Sequence, residues 1–462
     1  MSHMHPGESV CIRLDALGAT HASRRRIERR QRRQLEDHLS FVARNSRFYK
    51  QLYGDPTPSY DTFRKLPPVT KSQLMEHFDD VVTDPAVTRA EVDAFIADPT
   101  KVGHRLLGCY PVWTTTGTTG EPGIFLQDDR AMTVADAVSD RWTYPPLLDL
   151  RSATRLARHD LRIAEFAIGR AHYAAASGTA LMRREHRFFQ RRLRLFSPKR
   201  PLTEVVTELN EFQPAILFGY STVLEELARE RRAGQLKVSP ALVLPSGEPI
   251  TAAGKRELRR VFSCPVRELY GATEFTGIAG ECGHGNLHAN TDWLVLEPVD
   301  EDYQPVPPGD PSATVLLTNL ANRIQPLVRY DLGDSVTMHD EPCPCGSPFP
   351  ILTVEGRQGD VLRFEAEAGA QVPIFPLAIS SIVEEVDGVY RTQLCQTGPQ
   401  SLRVRLEVAE DADEPAVRAQ VEEALASFLR GQGLTGVDIE QAAEPPARDP
   451  GGKFRHVWSE TD

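Results

Sequence analysis

Three short apolar runs, each ending in a turn of small residues, constrain the fold of this chain most strongly. They occupy residues 215–221 (AILFGYS), 241–249 (ALVLPSGEP) and 266–274 (VRELYGATE). Helical patterns follow the first two, at 223–232 and 252–261. Strands that alternate with helices predict an α/β sheet, and the carboxyl ends of its parallel strands meet at one edge, where such sheets bind ligands. The sequence therefore predicts a large α/β domain with a ligand site built from these three loops.

Length, charge and hydropathy limit the functional classes. The 462 residues are enough for two or three domains, and the net charge of −11 gives no electrostatic support for a nucleic-acid partner. We find neither an apolar run of about 18 residues, as a membrane span needs, nor a signal segment. Seven cysteines are too few for a disulfide scaffold in a chain of this length. We therefore expect a cytoplasmic protein without membrane or nucleic-acid partners.

The N-terminal part, from about 21 to 100, reads as a helical segment. Residues 21–55 combine an arginine-rich run with an apolar stripe at helical spacing, which favours a helix with a solvated basic face over a nucleic-acid site. Residues 66–71 (LPPVTK) read as a loop that feeds a further helix. Thr70 is the expected N-cap of that helix, because a threonine hydroxyl accepts hydrogen bonds from free backbone N–H groups.

A loop of hydroxyl residues and glycines at 114–123 (TTTGTTGEPG) is the first candidate binding element. Its backbone N–H groups and threonine hydroxyls can surround an anion, and glycine lets the chain approach that anion closely. The loop lacks the Gly-Lys-Ser/Thr ending of a Walker A motif. It therefore predicts a phosphate site of another type.

The third small-residue turn, at 270–274, carries a second set of chemical groups. Tyr270 can lay an apolar ring face against a purine, and Gly271 keeps the neighbouring space open. Thr273 offers a hydroxyl to a phosphate, and Glu274 offers a hard oxygen ligand to Mg²⁺. Together with the Thr/Gly loop, this turn predicts a magnesium–nucleotide site.

Five motifs in order resemble those of the adenylate-forming superfamily of acyl-CoA synthetases and adenylation domains. They are the phosphate loop at 115–122 (TTGTTGEP), the adenine and magnesium motif at 270–274 (YGATE), the ribose motif at 329–334 (RYDLGD), the hinge motif at 356–360 (GRQGD) and the lysine motif at 450–455 (PGGKFR). Residues 47–49 (RFY), 66–71 and 171–173 (AHY) resemble N-terminal features of the phenylacetate–CoA ligase family. The resemblance implies a large α/β domain at 1–355 and a small, mobile α+β domain at 356–462.

Carried over residue by residue, the resemblance also implies the site. It assigns catalysis to Lys453, Glu274, Thr273 and Arg357, and the hinge to Asp360. It assigns ATP or AMP binding to Thr115, Thr116, Gly117, Thr118, Thr119, Gly120, Ser246, Gly247, Glu248, Pro249, Tyr270, Gly271, Ala272, Asp334 and Arg357. Lys453 also has an independent argument: the chain has eight lysines, and this is the only one after Lys255. A chain that otherwise prefers arginine keeps a compact point charge at this position.

The reaction implied by the resemblance has two steps. A carboxylic acid attacks the α-phosphorus of Mg·ATP to give an acyl-adenylate and pyrophosphate, and the acyl group then passes to the thiol of CoA. By position in the family, the acid pocket contains His172, Tyr173, Phe218, Gly219 and Tyr220, which favours a small aromatic acid, although core packing is an equally simple interpretation for each of them. The family also implies a homodimer.

Two alternatives to a CoA ligase stay open. The stretch 361–370 (VLRFEAEAGA) is longer and more acidic than the short glycine-containing segment that lines the pantetheine tunnel in the family. The first alternative is therefore an adenylating enzyme with another acceptor, namely a carrier-protein thiol, an amine, or nitrite in diazo formation. The second is a non-catalytic nucleotide-binding regulator, against which Glu274, Asp334, Arg357 and Lys453 argue.

A separate group of cysteines and histidines lies between the motifs, at 282–345. Thiolate and imidazole ligands suit a tetrahedral, structural Zn²⁺ site. We favour the set Cys282, His288, Cys343 and Cys345, with His284 as the competing ligand. Unmetallated thiols in a turn are the alternative interpretation.

Overall fold

The computed structural model describes residues 5–54, 58–115, 122–168, 172–354, 361–366, 370–409, 412–447 and 455–461. The α-helices of these ranges are α1 (Pro6–Ala19), α2 (Arg24–Asn45), α3 (Arg47–Tyr53), α4 (Lys71–Glu76), α5 (Phe78–Val81), α6 (Arg89–Ala97), α7 (Asp129–Thr143), α8 (Leu150–Arg158), α9 (Ala174–Glu185), α10 (Leu202–Phe212), α11 (Ser221–Arg232), α12 (Ala252–Phe262), α13 (Pro376–Glu384) and α14 (Glu414–Gly431).

The strands of the same ranges are β1 (Val112–Thr114), β2 (Ile124–Leu126), β3 (Ile163–Phe166), β4 (Leu193–Phe196), β5 (Ile216–Gly219), β6 (Leu242–Pro245), β7 (Leu269–Ala272), β8 (Phe275–Glu281), β9 (Leu287–Ala289), β10 (Leu294–Val299), β11 (Thr314–Asn319), β12 (Tyr330–Asp331), β13 (Val336–His339), β14 (Ile351–Val354), β15 (Leu362–Glu365), β16 (Gln371–Ile374), β17 (Val389–Gly398), β18 (Ser401–Val408), β19 (Asp438–Gln441) and β20 (Val457–Ser459).

The N-terminal helices follow the sequence-based expectation. The helical segment predicted at 21–55 contains α2 and α3. Thr70 caps α4 as predicted, and its hydroxyl and the side chain of Gln73 form a reciprocal capping box. Leu35, Leu39 and Tyr49 of these helices are buried in one cluster that also contains residues of β2 and β12. The helical segment is thus joined to the body of the protein.

A four-stranded parallel sheet, in the order β4-β3-β5-β6, forms the centre of the α/β part. One face of the sheet packs against α10, α11 and α12, in a cluster that includes Leu217, Val243 and Phe262. Helices follow β5 and β6 at α11 and α12, as the alternating pattern predicts. The α/β fold class is confirmed.

The third apolar run behaves differently from the expectation: the run predicts a strand at 266–269, and this is wrong because the strand lies at Leu269–Ala272. Its strand is β7, which starts at Leu269 and belongs to a five-stranded antiparallel sheet in the order β13-β14-β9-β8-β7. Only two isolated bridges, Val243–Val266 and Ser246–Leu269, join this run to β6. The cause is a hairpin: β7 turns back at 273–274 and pairs with β8. A Cβ on Gly271 would meet the carbonyl oxygen of Thr276 at 2.3 Å, so glycine permits this close pairing.

The C-terminal part, from 361 onward, has a core of its own. Its four-stranded sheet, in the order β19-β18-β17-β20, packs with α13 and α14. This C-terminal part also contacts the part of the chain before it. Phe375 belongs to the α10–α12 cluster, and Glu385 forms an ion pair of 2.7 Å with Lys199. The domain boundary and hinge assigned to 355–360 lie outside the described residues, so the division at 355/356 stays a prediction.

None of the described helices combines the length and apolar character that a membrane span requires.

Candidate nucleotide site and candidate metal centre

The base of the Thr/Gly loop is held by the β1–β2 hairpin. Thr115 donates its N–H to the carbonyl of Gly123 at 2.9 Å, and the N–H of Gly123 donates to Thr115 Oγ1 at 2.8 Å. The two ends of the loop are therefore paired. The remaining phosphate-loop residues assigned from the sequence, Thr116, Gly117, Thr118, Thr119 and Gly120, lie outside the described residues.

Lys71 lies beside the base of the same loop. A Cβ on Gly123 would be 3.2 Å from Cδ of Lys71. Burial raises the pKa of Glu274, and the positive charge of Lys71 opposes that rise. Lys71 is the first residue of α4, which follows the cap at Thr70. Val69, two residues before Lys71, forms backbone hydrogen bonds of 2.9 Å with Arg329 and Asp331. These bonds join this segment to the ribose motif.

Glu274 occupies the turn of the β7–β8 hairpin. Its side chain is buried and accepts a hydrogen bond of 2.8 Å from the hydroxyl of Tyr330 on Oε1. Burial raises the pKa of Glu274 to about 7, and the Tyr330 hydrogen bond opposes the shift. A divalent cation beside this carboxylate would stabilise its ionised form. Thr273 precedes it and accepts a long hydrogen bond of 3.5 Å from Gln127 on its carbonyl oxygen.

The adenine and ribose motifs meet at a second pair of side chains. The hydroxyl of Tyr270 donates to Oδ2 of Asp334 at 2.7 Å. Burial raises the pKa of Asp334, whereas this hydrogen bond lowers it. Asp334 keeps a second carboxylate oxygen, Oδ1, as an acceptor. Gly271 and Ala272 complete β7 and are half-buried.

Residues 246–249 form the turn between β6 and α12, next to the hairpin. Ser246 donates its N–H to the carbonyl of Gly219 at 2.8 Å. Gly247 has φ +78°, and a Cβ there would be 3.0 Å from the ring of Tyr220, so the position favours glycine. Glu248 accepts hydrogen bonds from the N–H and hydroxyl of Thr222 at 3.0 and 2.7 Å. It thereby stabilises the start of α11, and Pro249 follows it.

The residues assigned to the acid pocket form two groups, one at the carboxyl end of β5 and one just before α9. Phe218 and Tyr220 are half-buried at the carboxyl end of β5. Gly219, between them, lies close to β3, and a Cβ on this glycine would meet the carbonyl oxygen of Phe166 at 2.2 Å. Tyr173 precedes α9 and bridges to Thr114. His172 is fully buried, and its ring lies 5.1 Å from that of Phe95 on α6. Burial lowers the pKa of His172.

The structure thus brings together Tyr270, Asp334, Glu274 and the base of the Thr/Gly loop. Arg357, Asp360 and Lys453 lie outside the described residues. Sequence reasoning missed the partner role of Tyr330 and the position of Lys71. Both belong to motifs that the sequence displays, at 329–334 and 66–71, but only the tertiary contacts assign them to this site.

The candidate metal centre consists of Cys282, His288, Cys343 and Cys345. One potential ligand atom from each residue lies within 4.8 Å of all the others. The Sγ atoms of Cys282 and Cys343 are 3.7 Å apart, and Sγ of Cys345 is 3.4 Å from Nε2 of His288. A tetrahedral Zn²⁺ with ordinary bond lengths gives separations of about 3.8 Å for two sulfurs and about 3.5 Å for sulfur and nitrogen. The donor set therefore fits zinc in both type and spacing.

Neighbouring groups orient the histidine of this cluster. Nδ1 of His288 lies 2.9 Å from the carbonyl oxygen of Phe349, which only accepts, so Nδ1 carries the proton and Nε2 faces the sulfurs with a free lone pair. The indole of Trp142 stacks on the imidazole at 5.2 Å. His284 contributes a backbone N–H to Sγ of Cys282 at 3.4 Å, and its imidazole is not part of the cluster.

No family model matches the chain. A curated relative, Protein CapK of Staphylococcus aureus, is 27% identical over 259 residues, which cover 54% of this chain and 54% of that protein. The chain therefore spans about half the length of the curated relative it matches.

Solved structures of 2-hydroxyisobutyryl-CoA ligase match over nearly the whole chain. The complex with 2-HIB-AMP and CoA in the thioesterification state has a TM-score of 0.60 at 19% identity, covering 96% of this chain and 91% of that one. The postadenylation state in complex with R3-HIB-AMP has a TM-score of 0.56 at 18% identity, with the same coverage. The open conformation with 2-HIB-AMP and CoA has 0.53 at 18% identity, covering 92% and 90%. The chain therefore has the fold of 2-hydroxyisobutyryl-CoA ligase.

Proposed function

We propose that the chain is an AMP-forming acid–thiol ligase, which activates a small aromatic carboxylic acid as its acyl-adenylate and transfers the acyl group to CoA. The observation that carries this proposal is the convergence of Tyr270, Asp334 and Glu274 beside the paired base of the Thr/Gly loop. The aromatic ring of Tyr270 suits the base of Mg·ATP, and the carboxylates of Asp334 and Glu274 suit the ribose and the metal. The threonine hydroxyls of the loop suit the phosphates. The finer resemblance to the phenylacetate–CoA ligase family stays a prediction.

Each described residue has a role that its surroundings support. Tyr270 would lie against the adenine with residues 246–249, and Asp334 would accept hydrogen bonds from ribose hydroxyls on its second oxygen. Glu274 is held by Tyr330 on Oε1, which leaves Oε2 to coordinate Mg²⁺. Mg²⁺, when bound, neutralises phosphate charge. Lys71, next to the loop base and Glu274, adds a positive charge to the same region.

The first half-reaction is an in-line displacement at the α-phosphorus. A carboxylate oxygen of the acid forms the new bond to phosphorus, and the bond to the bridging oxygen breaks with release of pyrophosphate. Catalysis of this step consists mainly of positioning and charge neutralisation. Lys453 and Arg357 are proposed to stabilise the charge that concentrates on the α-phosphate and the attacking carboxylate.

The second half-reaction breaks the acyl–phosphate bond. A thiolate attacks the acyl carbonyl, and AMP leaves. In the proposed cycle the small domain first rotates at Asp360, which withdraws Lys453 and admits the thiol. The acceptor has an alternative, because the sequence 361–370 departs from the short glycine-containing segment of the family, and its described part contains β15, which pairs antiparallel with β16. A carrier-protein thiol, an amine or nitrite would then replace CoA.

A structural zinc site is part of the proposal. Cys282, His288, Cys343 and Cys345 would supply four ligands, which leaves no open position for substrate, so the metal would stabilise the fold. It would join the end of β8 to the loop before β14. Homodimerisation and a cytoplasmic location stay predictions from the sequence.

Pyrophosphate release tests the proposal. Wild type, Lys453→Ala and the matched control Lys237→Ala, an exposed lysine, are assayed with ATP, Mg²⁺ and a panel of aromatic and small aliphatic acids, with and without CoA. We expect wild type to release pyrophosphate only when an acid is present, and to form a thioester when CoA is added as well. The rate of release should be unchanged in Lys237→Ala and lower by at least about 100-fold in Lys453→Ala. Release without thioester would assign another acceptor. Absence of release with every acid would contradict adenylation.

A further inference from the structure

Glu165 is a carboxylate with an uncommon position, in the middle of the central parallel sheet. It lies on β3, opposite Phe218 of β5 in register, and its exposed fraction is 8%. Burial raises its pKa to about 7. Side chains of successive strand residues point to opposite faces, so Glu165 faces away from the α10–α12 cluster that contains its neighbours Ala164 and Phe166.

The surroundings of Glu165 are those of the proposed acid pocket. Phe218 shares its sheet face, and the electrostatic field of Glu165 acts on the buried hydroxyl of Tyr220, together with those of Glu248 and Tyr173. Phe218, Tyr220 and Tyr173 are three of the residues that the sequence assigns to the acid. The carboxylate thus lies within the residues that would enclose the substrate.

The side chain of Glu165 has a single hydrogen-bond partner among the described residues. Thr179 of α9 donates its hydroxyl to Oε2 of Glu165. Neither an arginine nor a lysine of the described residues forms an ion pair with it, and Glu248, in the turn after β6, has its hydrogen bonds from Thr222 rather than from a basic side chain of those residues. A buried carboxylate without a positive partner is unfavourable by several kcal/mol in general.

A substrate can supply the positive partner that the described residues do not provide. The carboxylate of the acid must lie near the nucleotide, so groups at its other end fall among the pocket residues. An unsubstituted apolar acid would leave Glu165 desolvated and unpaired, whereas an amino group would donate hydrogen bonds to its free oxygen. Selection by a buried, hydrogen-bonding group is stronger than selection by apolar contact.

We propose that Glu165 determines the specificity of the acid pocket, and that the activated acid carries an amino group which pairs with this carboxylate. The proposal deepens the proposed function and rests on it. Thr179 acts as a positioning residue, because it holds one oxygen of Glu165 and thereby directs the other.

Matched acid pairs test this inference. The probes are 4-aminobenzoate with benzoate, 4-aminophenylacetate with phenylacetate, and β-alanine with propionate, with 4-hydroxybenzoate as the arm for a hydroxyl donor. We expect wild type to prefer the amino member of at least one pair by tenfold or more in kcat/KM for pyrophosphate release. In Glu165→Leu that preference should be lost, with both members of the pair used about equally. Glu211→Gln, an exposed glutamate on α10, is the matched control and should keep the wild-type ratio.

The outcome with the acid pairs, together with a binding measurement, separates failure of the inference from failure of the proposed function. Equal use of both members of every pair, unchanged in Glu165→Leu, overturns the inference and leaves the ligase in place. If no acid yields pyrophosphate, the ligase is overturned, and binding of benzylamine and aniline decides the inference. A thermal shift in wild type that is absent in the isosteric Glu165→Gln supports it, and no shift in wild type overturns it.

Discussion

Tyr330 of the ribose motif donates its hydroxyl to Oε1 of Glu274 in the turn of the β7–β8 hairpin, at 2.8 Å. The two residues come from motifs that are far apart in the sequence, and both are buried. This contact fixes the orientation of the proposed magnesium ligand. Its free oxygen, Oε2, is thereby directed by the tyrosine.

The first prediction concerns this pair. Glu274→Gln removes the negative charge, so kcat/KM for Mg·ATP should fall by about 100-fold. Tyr330→Phe keeps the ring but removes the hydrogen bond, and we expect a smaller loss of about 3- to 10-fold. Pyrophosphate release at varied ATP and Mg²⁺ measures both. Full activity in Glu274→Gln would remove Glu274 from the magnesium site.

The second prediction concerns the candidate metal centre. The purified protein should contain about one zinc atom per chain, and Cys343→Ser and Cys345→Ser should lose it, because three ligands hold zinc much less strongly than four. Both variants should unfold at a lower temperature, as should wild type treated with a strong chelator. Metal analysis and thermal unfolding measure these effects, with Cys11→Ser, an exposed cysteine, as the control. Unchanged stability and no bound metal would establish free thiols.

The third prediction uses the pKa of Glu165. Burial raises this pKa from 4.5 to about 7, so between these values the folded state keeps a proton that the unfolded state has lost. The free energy of unfolding therefore falls as the pH rises through this range, and it levels off above pH 7. Glu165→Gln lacks this titration. Its stability relative to wild type should increase by about 2 kcal/mol between pH 5 and pH 8.

Chemical denaturation at both pH values measures this difference. The groups around Glu165 are the hydroxyls of Thr179 and Tyr220, and Glu248 acts on the same tyrosine. The phenol of Tyr220 does not titrate in this range, because burial raises its pKa further above 10. A stability difference that is independent of pH would show that Glu165 is solvated or paired.

The fourth prediction concerns the contacts between the C-terminal part and the rest of the chain. Lys199 pairs with Glu385 at 2.7 Å, and Arg363 pairs with the buried Glu226. We take each pair to contribute about 1 kcal/mol to the contact. In the combined variant Lys199→Gln/Arg363→Gln, the C-terminal part should then separate from the rest of the chain at least about tenfold more often than in wild type. Trypsin cleavage after Arg357, in the proposed hinge, should accelerate accordingly.

Mass spectrometry of the tryptic fragments identifies that cleavage. Arg200→Gln is a suitable control, since Arg200 pairs with Glu204 and Glu208 in its own part of the chain. Equal cleavage rates in all variants would mean that these pairs do not restrain the C-terminal part.

Local chemistry explains which features the sequence predicts well. The cap at Thr70 depends on groups three residues apart, and the β5 and β6 strands with their helices have patterns that neighbouring residues determine. The prediction of a strand at 266–269 fails because an apolar run does not show whether its partner is parallel or antiparallel. That choice depends on the hairpin with β8 and on the close backbone contact at Gly271.

Long-range contacts explain what the sequence leaves undetermined at the site. The partnership of Glu274 with Tyr330, and the position of Lys71, depend on how separate segments pack. Glu165 belongs to none of the motifs, and it becomes visible only when β3 is placed beside β5. The ribose motif is likewise held by long-range contacts, because the carboxylate of Asp331 accepts hydrogen bonds from Tyr303 and Thr314.

One strand, β8, has Glu274 immediately before it and Cys282 immediately after it. At the usual rise per residue, these two ends are about 25 Å apart. The strand pairs with β7 on one side and β9 on the other, so the proposed magnesium ligand and the candidate metal centre lie at opposite ends of one element. We expect any effect of cysteine oxidation on the proposed nucleotide site to pass through this strand, and a comparison of ATP binding by the reduced and the oxidised protein measures it.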